Sequence, residues 1–512
     1  MIEENKSSMK NSVRRLVIAG IGVLIQIIWV VVLVMRLNQY SQIITLLTVA
    51  IELVLVLAVY SMDTNAAFKL PWIILITVAP IVGICVFFLF GRSGATKKVR
   101  ARYRKIDQQL FAYLNQDEQI IEELSKKDER LANDFKYLWK CASSPVYKNT
   151  DVKYYGDTCD AMAAQLEDMM QAKQFIFLEY HAIEMAESFQ ALRKVLMAKA
   201  REGVEIRILY DDAGCIGFLN PRFIKYMESM GIQCRVFNPI MPVLNIFMNN
   251  RDHRKITVID GRVAYTGGYN LADEYFNITH PYGQWKDSGI RFEGDAVQTA
   301  TILFLEMWNA LKEQDVDIEK YLPVYPYKAK EQGFFALYGD SPLGKEPAGE
   351  NVYMNLLRHA KKYIYFTTPY LILSDEMTRE LTGAAKRGVD VRIITPGIPD
   401  KKTIFQVTKS YYPQLLKHGV KIYEYTPGFM HEKQCICDGE IVVVGTINLD
   451  FRSLYLHFEN AALFCGYEAV SHVKEDFDAL FPICKDMSKE PSERTRRLRL
   501  SQLILRLFSP LM

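Results

Sequence analysis

Two stretches of this chain repeat one polar pattern inside apolar surroundings. Residues 253–270 read HRKITVIDGRVAYTGGYN, and residues 431–448 read HEKQCICDGEIVVVGTIN. In each, a His and a Lys stand two apart, Asp-Gly follows the next apolar run, and an Asn closes the stretch. Side chains at i and i+2 share one side of a strand, so each His shares a face with its Lys. Asp-Gly between apolar runs is the strongest short hairpin signal. Each stretch is therefore predicted to be a hairpin that folds its Asn back beside its own His and Lys. Three such groups converging suit an anion better than a core. A given His meets this Lys and Asp by chance in about 0.4% of cases, taking charged residues as a quarter of an average chain. The chain has eight His, so two matches that also share the Asn are not coincidence.

The duplication extends beyond the hairpins. FIFLEYHAIE at 175–184 answers to YIYFTTPYLI at 363–372, GVEIRILYDD at 203–212 to GVDVRIITPG at 388–397, and GIQCRVFNP at 231–239 to GVKIYEYTP at 419–427. Each half reads strand, helix, strand, helix, strand, then hairpin. Strands alternating with amphipathic helices such as FQALRKVLMAKAREG predict an α/β fold with a mainly parallel sheet covered on both faces. Two such halves related by a pseudo-twofold axis bring both hairpins to one interface. The segment 312–330, with Pro323 and Pro326, is the expected connection. The halves differ in one loop: the interval from Gly231 to His253 is longer than that from Gly419 to His431. The extra residues fall in 240–252, where Met241, Leu244, Ile246 and Phe247 invite either a lipid or a place in the core.

Before residue 91 lie three apolar runs, at about 16–35, 43–61 and 70–90, each close to the ~20 residues that cross a bilayer. Pro71 and Pro80 predict a kink in the third. The basic cluster from Arg92 to Lys105 is denser than the one before the first run, which predicts that the large domain faces the cytoplasm. A net charge of only +3 gives no field for nucleic acid. The nine Cys show no disulfide or metal-ligand spacing, and Cys435 and Cys437 read as small apolar filler. From Arg494 to Arg506 the tail interleaves arginines with apolar residues. That pattern fits a helix on an anionic membrane surface or one packed on the domain.

The doubled His-x-Lys-(x)4-Asp pattern, each copy closed by Gly-x-x-Asn, resembles the phospholipase D superfamily. The apolar N-terminus, the NLDFRS string at 448–453 and the terminal RLFSPLM extend the resemblance to its branch of bacterial cardiolipin synthases. It implies two phospholipase-D-like repeats packed around one site behind N-terminal transmembrane helices. The corresponding domains are an anchor at 1–95, repeats at 96–315 and 316–490, and a basic amphipathic tail at 491–512. It also implies a membrane-bound phosphatidyltransferase that converts two phosphatidylglycerol molecules to cardiolipin and glycerol, with anionic membrane lipids as partners and without cofactor or metal. A phospholipase D using water, or a phosphatidylserine-synthase-like transferase using another alcohol, is the alternative.

The candidate catalytic set is His253, Lys255, Asp260, His431, Lys433 and Asp438. A phosphodiester needs a nucleophile, an acid for the leaving oxygen, and cations or donors on the phosphoryl oxygens. Imidazole can be nucleophile or acid because its pKa of ~6.5 leaves both forms accessible. The superfamily pattern implies a phosphohistidine on one His, by precedent His253, with His431 as acid; the two copies are too alike for the residues to decide. Lys255, Lys433, Asn270 and Asn448 are expected on the phosphoryl oxygens, and Asp260 and Asp438 in structural or supporting roles at the turns. The pattern further implies that Asp287 and Glu459 orient the His of the opposite half. Gly268 and Thr446 are expected to support the site.

Overall fold

The computed structural model leaves residues 1–20, 22–23, 26–27, 30, 33–34, 37–41, 89–96, 220–221, 241–248, 313–317, 324–325, 345, 492–497 and 512 outside the described residues. In the first half the strands are β1 (Thr150–Tyr155), β2 (Phe175–Tyr180), β3 (Glu205–Asp211), β4 (Gln233–Phe237), β5 (Arg251–Asp252), β6 (Lys255–Ile259), β7 (Val263–Gly267), β8 (Gln284–Lys286) and β9 (Gly289–Gly294). The second half repeats them as β10 (Phe334–Asp340), β11 (Tyr363–Thr367), β12 (Asp390–Pro396), β13 (Lys421–Tyr425), β14 (Gly428–Met430), β15 (Gln434–Cys437), β16 (Ile441–Gly445) and β17 (His457–Cys465), and adds β18 (Cys484–Asp486). The sheets run β1-β9-β7-β6-β2-β3-β4 and β10-β17-β16-β15-β11-β12-β13-β18.

The sheets are mixed, which corrects the expectation of a mainly parallel sheet. Along the two main strand orders, parallel pairing among the described residues is confined to β2-β3-β4 and β11-β12-β13. These are the strands joined by helices such as Glu187–Arg201 and Asp375–Lys386, and a crossover helix returns the chain in the same direction. The hairpins reverse it, so β6-β7, β7-β9, β15-β16 and β16-β17 are antiparallel. The opening strands β1 and β10, which the hydropathy reading passed over, also pair antiparallel, on β9 and β17. The helix Val297–Leu311 is buried along nearly its whole length. Its Leu303, Phe304, Met307 and Trp308 share one apolar core with Phe177 and Val258 of the first sheet and Phe335, Val444 and Phe464 of the second. Cys435 and Cys437 are buried among apolar residues of the second half.

Both turns are the tight two-residue kind. Asp260 and Gly261 lie at φ 53° and 62°, Asp438 and Gly439 at 53° and 71°. The turns close through Arg262 N–H to the Ile259 carbonyl and Glu440 N–H to the Cys437 carbonyl, each at 3.0 Å. Both central residues need positive φ in such a turn, which explains the Asp-Gly pair.

The N-terminal expectation is not met as stated. Among the described residues no helix is long and apolar enough to cross a membrane. The first apolar run lies largely outside the described residues. The second forms the helix Gln42–Tyr60, whose Leu46, Leu53 and Leu57 are 72%, 62% and 59% exposed. The third divides into Ala66–Val78 and Pro80–Val86, because Pro80 holds Ala79 out of the helical region at φ −137°, ψ 72°. At the other end, Leu500–Leu507 packs Leu505 against the core of the second half and buries Gln502, whose Nε2 donates to the Gln406 carbonyl at 3.3 Å. Its Leu500, Leu503 and Ile504 face outward.

Candidate active site

The halves meet through two short strand exchanges. β5 runs parallel to the start of β17, pairing Arg251 with His457 and Asp252 with Phe458. β14 runs parallel to β8 and pairs Met430 with Lys286. The next residue in each case is a motif histidine: His253 N–H donates to the Phe458 carbonyl at 2.9 Å, and His431 N–H to the Lys286 carbonyl at 2.8 Å. The carboxylate one residue beyond each acceptor then faces the ring. His253 Nδ1 lies 2.8 Å from Glu459 Oε2, and His431 Nδ1 lies 2.5 Å from Asp287 Oδ2. Each imidazole is thus held by a carboxylate of the other half. A carboxylate on Nδ1 fixes the tautomer and leaves Nε2 for chemistry.

Register makes the two carboxylates equivalent. Gly267 faces Gly289 and Gly445 faces Ala461, which puts Asp287 and Glu459 two residues before matching positions. Gly268 and Thr446, also equivalent, treat them differently. A Cβ on Gly268 would lie 2.1 Å from Asp287 Oδ1, so only glycine leaves that carboxylate room. Thr446 instead donates its hydroxyl to Glu459.

Both histidines, both lysines and both asparagines are buried. Lys255 Nζ donates to the His253 carbonyl at 2.7 Å; Lys433 Nζ donates to the His431 carbonyl and lies 2.8 Å from His431 Nδ1. Burial and the neighbouring lysines hold both imidazoles well below the usual histidine range. Burial also lowers Lys255 to about 8 and Lys433 to about 7, and raises Asp287 to about 7. The ligand-free site therefore gathers neutral imidazoles and lysines poised to be cationic, an arrangement that an anion stabilises.

The asparagines differ. Asn270 is engaged, accepting from Ala182 N–H at 3.1 Å and donating to the Tyr275 hydroxyl at 2.8 Å. Asn448 has a buried Oδ1 without a hydrogen-bond partner and only a 3.4 Å contact from Nδ2 to Asp450. Asp260 and Asp438 sit at the far ends of the hairpins, about 17 Å along the strand from the lysines at 3.3 Å per residue. There Asp260 accepts from the backbone N–H groups of Lys173, Gln174 and Phe175 at 2.7–2.8 Å, and Asp438 from those of Lys361, Lys362 and Tyr363 at 2.8 Å. They pin each hairpin to the strand beside it.

Sequence reasoning missed three features. The middle residue of each motif is a buried clamp of opposite sign. Arg254 Nη1 meets Glu306 at 2.8 Å and its Nε donates to the Glu459 carbonyl at 3.2 Å. Glu432 meets Lys286, the neighbour of Asp287, at 2.7 Å. The environments of the two histidines also diverge. His431 is walled by Tyr275, Trp285 and Phe429, with ring centroids 5.1, 5.0 and 5.8 Å away. His253 is flanked by His181 and His457 at 5.1 and 5.5 Å. His457 precedes Glu459 by two residues as Trp285 precedes Asp287, a spacing that was available in the sequence. Finally, His253, His457 and Glu459 place one donor atom each within 4.8 Å of the others, a set able to hold a metal ion. Glu459 already accepts from His253 Nδ1 there, so the set needs no metal for its order.

The family described as cardiolipin synthase, PLD-like domain, matches residues 166–308 and 353–481, one segment in each half. An uncharacterized protein of Streptococcus mutans serotype c is 38% identical over 90% of this chain and 99% of its own. Cardiolipin synthase of Halalkalibacterium halodurans is 32% identical over 86% of this chain and 87% of its own, and cardiolipin synthase 2 of Bacillus anthracis 31% over 86% of each. Among solved structures, phosphatidylserine synthase of Haemophilus influenzae superposes with a TM-score of 0.56 at 13% identity, over 75% of this chain and 98% of that one. It shares the fold.

Proposed function

We propose, for a chain that belongs to the cardiolipin synthase, PLD-like domain family, that it transfers a phosphatidyl group from one phosphatidylglycerol to the glycerol hydroxyl of another. The observation that carries the reading is the crossed pairing of two buried histidines with carboxylates of opposite halves. Nε2 of one histidine attacks phosphorus and forms a P–N bond as the P–O bond to glycerol breaks. The other histidine, protonated once the anionic diester is bound, gives its proton to the departing glycerol oxygen. Now neutral, it takes the proton of the acceptor hydroxyl as that oxygen attacks phosphorus and the P–N bond breaks. Lys255 and Lys433 balance the phosphoryl charge, and the free Oδ1 and loosely held amide of Asn448 suit a further contact to the diester.

Lipid transfer needs a dry site at a membrane, because water in an open site would hydrolyse the phosphohistidine. The outward apolar faces of Gln42–Tyr60 and Leu500–Leu507 support attachment to the bacterial cell membrane, with the N-terminal apolar runs as its anchor and the basic cluster at 97–105 on the cytoplasmic side. The loop 241–248, which carries Met241, Leu244, Ile246 and Phe247, lies outside the described residues.

The test is turnover in phosphatidylglycerol liposomes. Wild type is expected to give cardiolipin and glycerol in near-equal amounts, undiminished by excess chelator. His253→Ala and His431→Ala are each expected to lose at least the roughly 10²–10⁴ that acid–base help supplies. Phosphatidic acid as the main product would make the protein a hydrolase instead.

A further inference from the structure

The two motif histidines have equivalent neighbours of different chemistry. Where Trp285 stands two residues before Asp287, His457 stands two residues before Glu459. The proposed mechanism gives His457 no task. Both of its ring nitrogens are nevertheless buried, and neither has a hydrogen-bond partner among the described residues. A buried polar group left unsatisfied is costly, so a partner that completes it is stabilising. Its Nδ1 lies 3.6 Å from Glu459 Oε1, the same oxygen that stands 2.9 Å from His253 Nδ1. Two imidazoles thus converge on one carboxylate, with ring centroids 5.5 Å apart.

Two imidazoles and a carboxylate are the ligand set of a late first-row divalent cation, Zn²⁺ above all. The three donor atoms lie within 4.8 Å of one another. Around a tetrahedral Zn²⁺ with bonds of about 2.0–2.1 Å, neighbouring donors stand roughly 3.4 Å apart. The separations of 2.9 and 3.6 Å from Glu459 Oε1 bracket that value. Thr446 donates its hydroxyl to Glu459 and steadies the carboxylate, as partners behind metal ligands do. The side chains of His253 and His457 keep 10% and 12% of their surface exposed, so a cation can reach the cluster from the ligand-free site. Lys255 and Lys433 act on the same ring and repel a further cation, which keeps the affinity below that of a permanent cofactor.

The consequence for catalysis is a change of tautomer. Glu459 holds the His253 ring with its proton on Nδ1 and its lone pair on Nε2. A cation on Nδ1 displaces that proton, which rebinds at Nε2 through solvent, so the ring stays neutral and no proton is lost. Nε2 then has no lone pair to attack phosphorus, and a neutral metal-bound ring is a poor acid for the departing oxygen. The block holds whichever role His253 takes.

We propose that His253, His457 and Glu459 form an inhibitory site for Zn²⁺ or a similar late first-row divalent cation, which turns His253 to its inactive tautomer. The site rests on its ligands; its effect on turnover rests on the transferase reading. The test uses the detergent-solubilised full chain without an affinity tag. Co²⁺ reports by its visible absorption, which intensifies when the ion leaves octahedral water for a four-coordinate protein site. One equivalent is expected to bind and to be displaced by Zn²⁺. His457→Phe mirrors the aromatic Trp285, and His457→Gln keeps a polar group. Each is expected to weaken binding by at least roughly tenfold, the least that even a partner behind a ligand costs. In phosphatidylglycerol vesicles Zn²⁺ is expected to cut wild-type turnover by roughly the 10²–10⁴ that acid–base help supplies, reversibly with chelator. Both variants are expected to keep their chelator-treated rate when Zn²⁺ is added. Absence of saturable Co²⁺ binding in the wild type, or binding equally strong in both variants, would overturn the proposal. Zn²⁺ held through His457 without loss of turnover would overturn the inhibition. A protein that binds the metal through His457 but makes no cardiolipin in chelator would sink the transferase reading and leave the site standing.

Discussion

Charge state is the issue at the scale of the residue. The nucleophilic imidazole must be neutral, and its pKa is depressed, so it stays competent below the ordinary ~6.5 and fails only at lower pH. Lys433 and Lys255 must be protonated to hold phosphate, and at about 7 and about 8 they lose charge as pH rises. A bell-shaped kcat/KM profile for the free enzyme is expected, with its acid limb below 6.5 and its alkaline limb between about 7 and 8. An alkaline limb near the ordinary lysine value of ~10.4 would show that these lysines do not carry the binding charge. Asp260 and Asp438 fall outside this account, because each spends its carboxylate on three backbone N–H groups.

Among the elements, the short exchanged strands β5 and β14 set the geometry, and the clamps of Arg254 and Glu432 lock them. Lys286 bridges Glu432 and Asp476 at 2.7 and 2.9 Å and stands next to Asp287, so the clamp fixes the carboxylate that orients His431. Breaking a buried pair by removing one partner costs on the order of 3–5 kcal/mol, because the other charge is stranded. Lys286→Glu and Glu432→Lys are each expected to lower thermal stability and kcat. The double variant restores the pair with its charges exchanged but sets a carboxylate at position 286 against Asp476, so it should recover only part of both. Equal damage in the single and double variants would mean that the clamp does not act as an ion pair.

For the whole molecule, the question is what covers its outward apolar faces. Gln42–Tyr60 and Leu500–Leu507 both turn apolar side chains outward, and Leu500–Leu507 packs near Ala66–Val78. Exposing Leu46, Leu53, Leu57, Leu500, Leu503 and Ile504 is the reverse of what water favours. If the domain faces the cytoplasm as proposed, a cysteine at Lys98, an exposed position of the helix Lys97–Leu110, is expected to resist impermeant reagent in intact cells and to react after lysis. Labelling of intact cells would reverse the topology.

The sequence alone determined the repeat, both hairpins, and the His, Lys and Asn grouped at their open ends. These are consequences of local period and of turn chemistry, which act over a few residues. Asp287 and Glu459, and their crossed service to the opposite half, were read through the superfamily resemblance. The parallel sheet was an overreach: alternating strands and helices predict parallel pairing only where a helix makes the return, and the hairpin strands make their own. Tertiary structure alone decided what surrounds each histidine. Trp285 and His457 hold equivalent positions, yet one completes an aromatic wall and the other flanks His253 beside Glu459. That difference comes from contacts between residues hundreds of positions apart, which neither period nor spacing records.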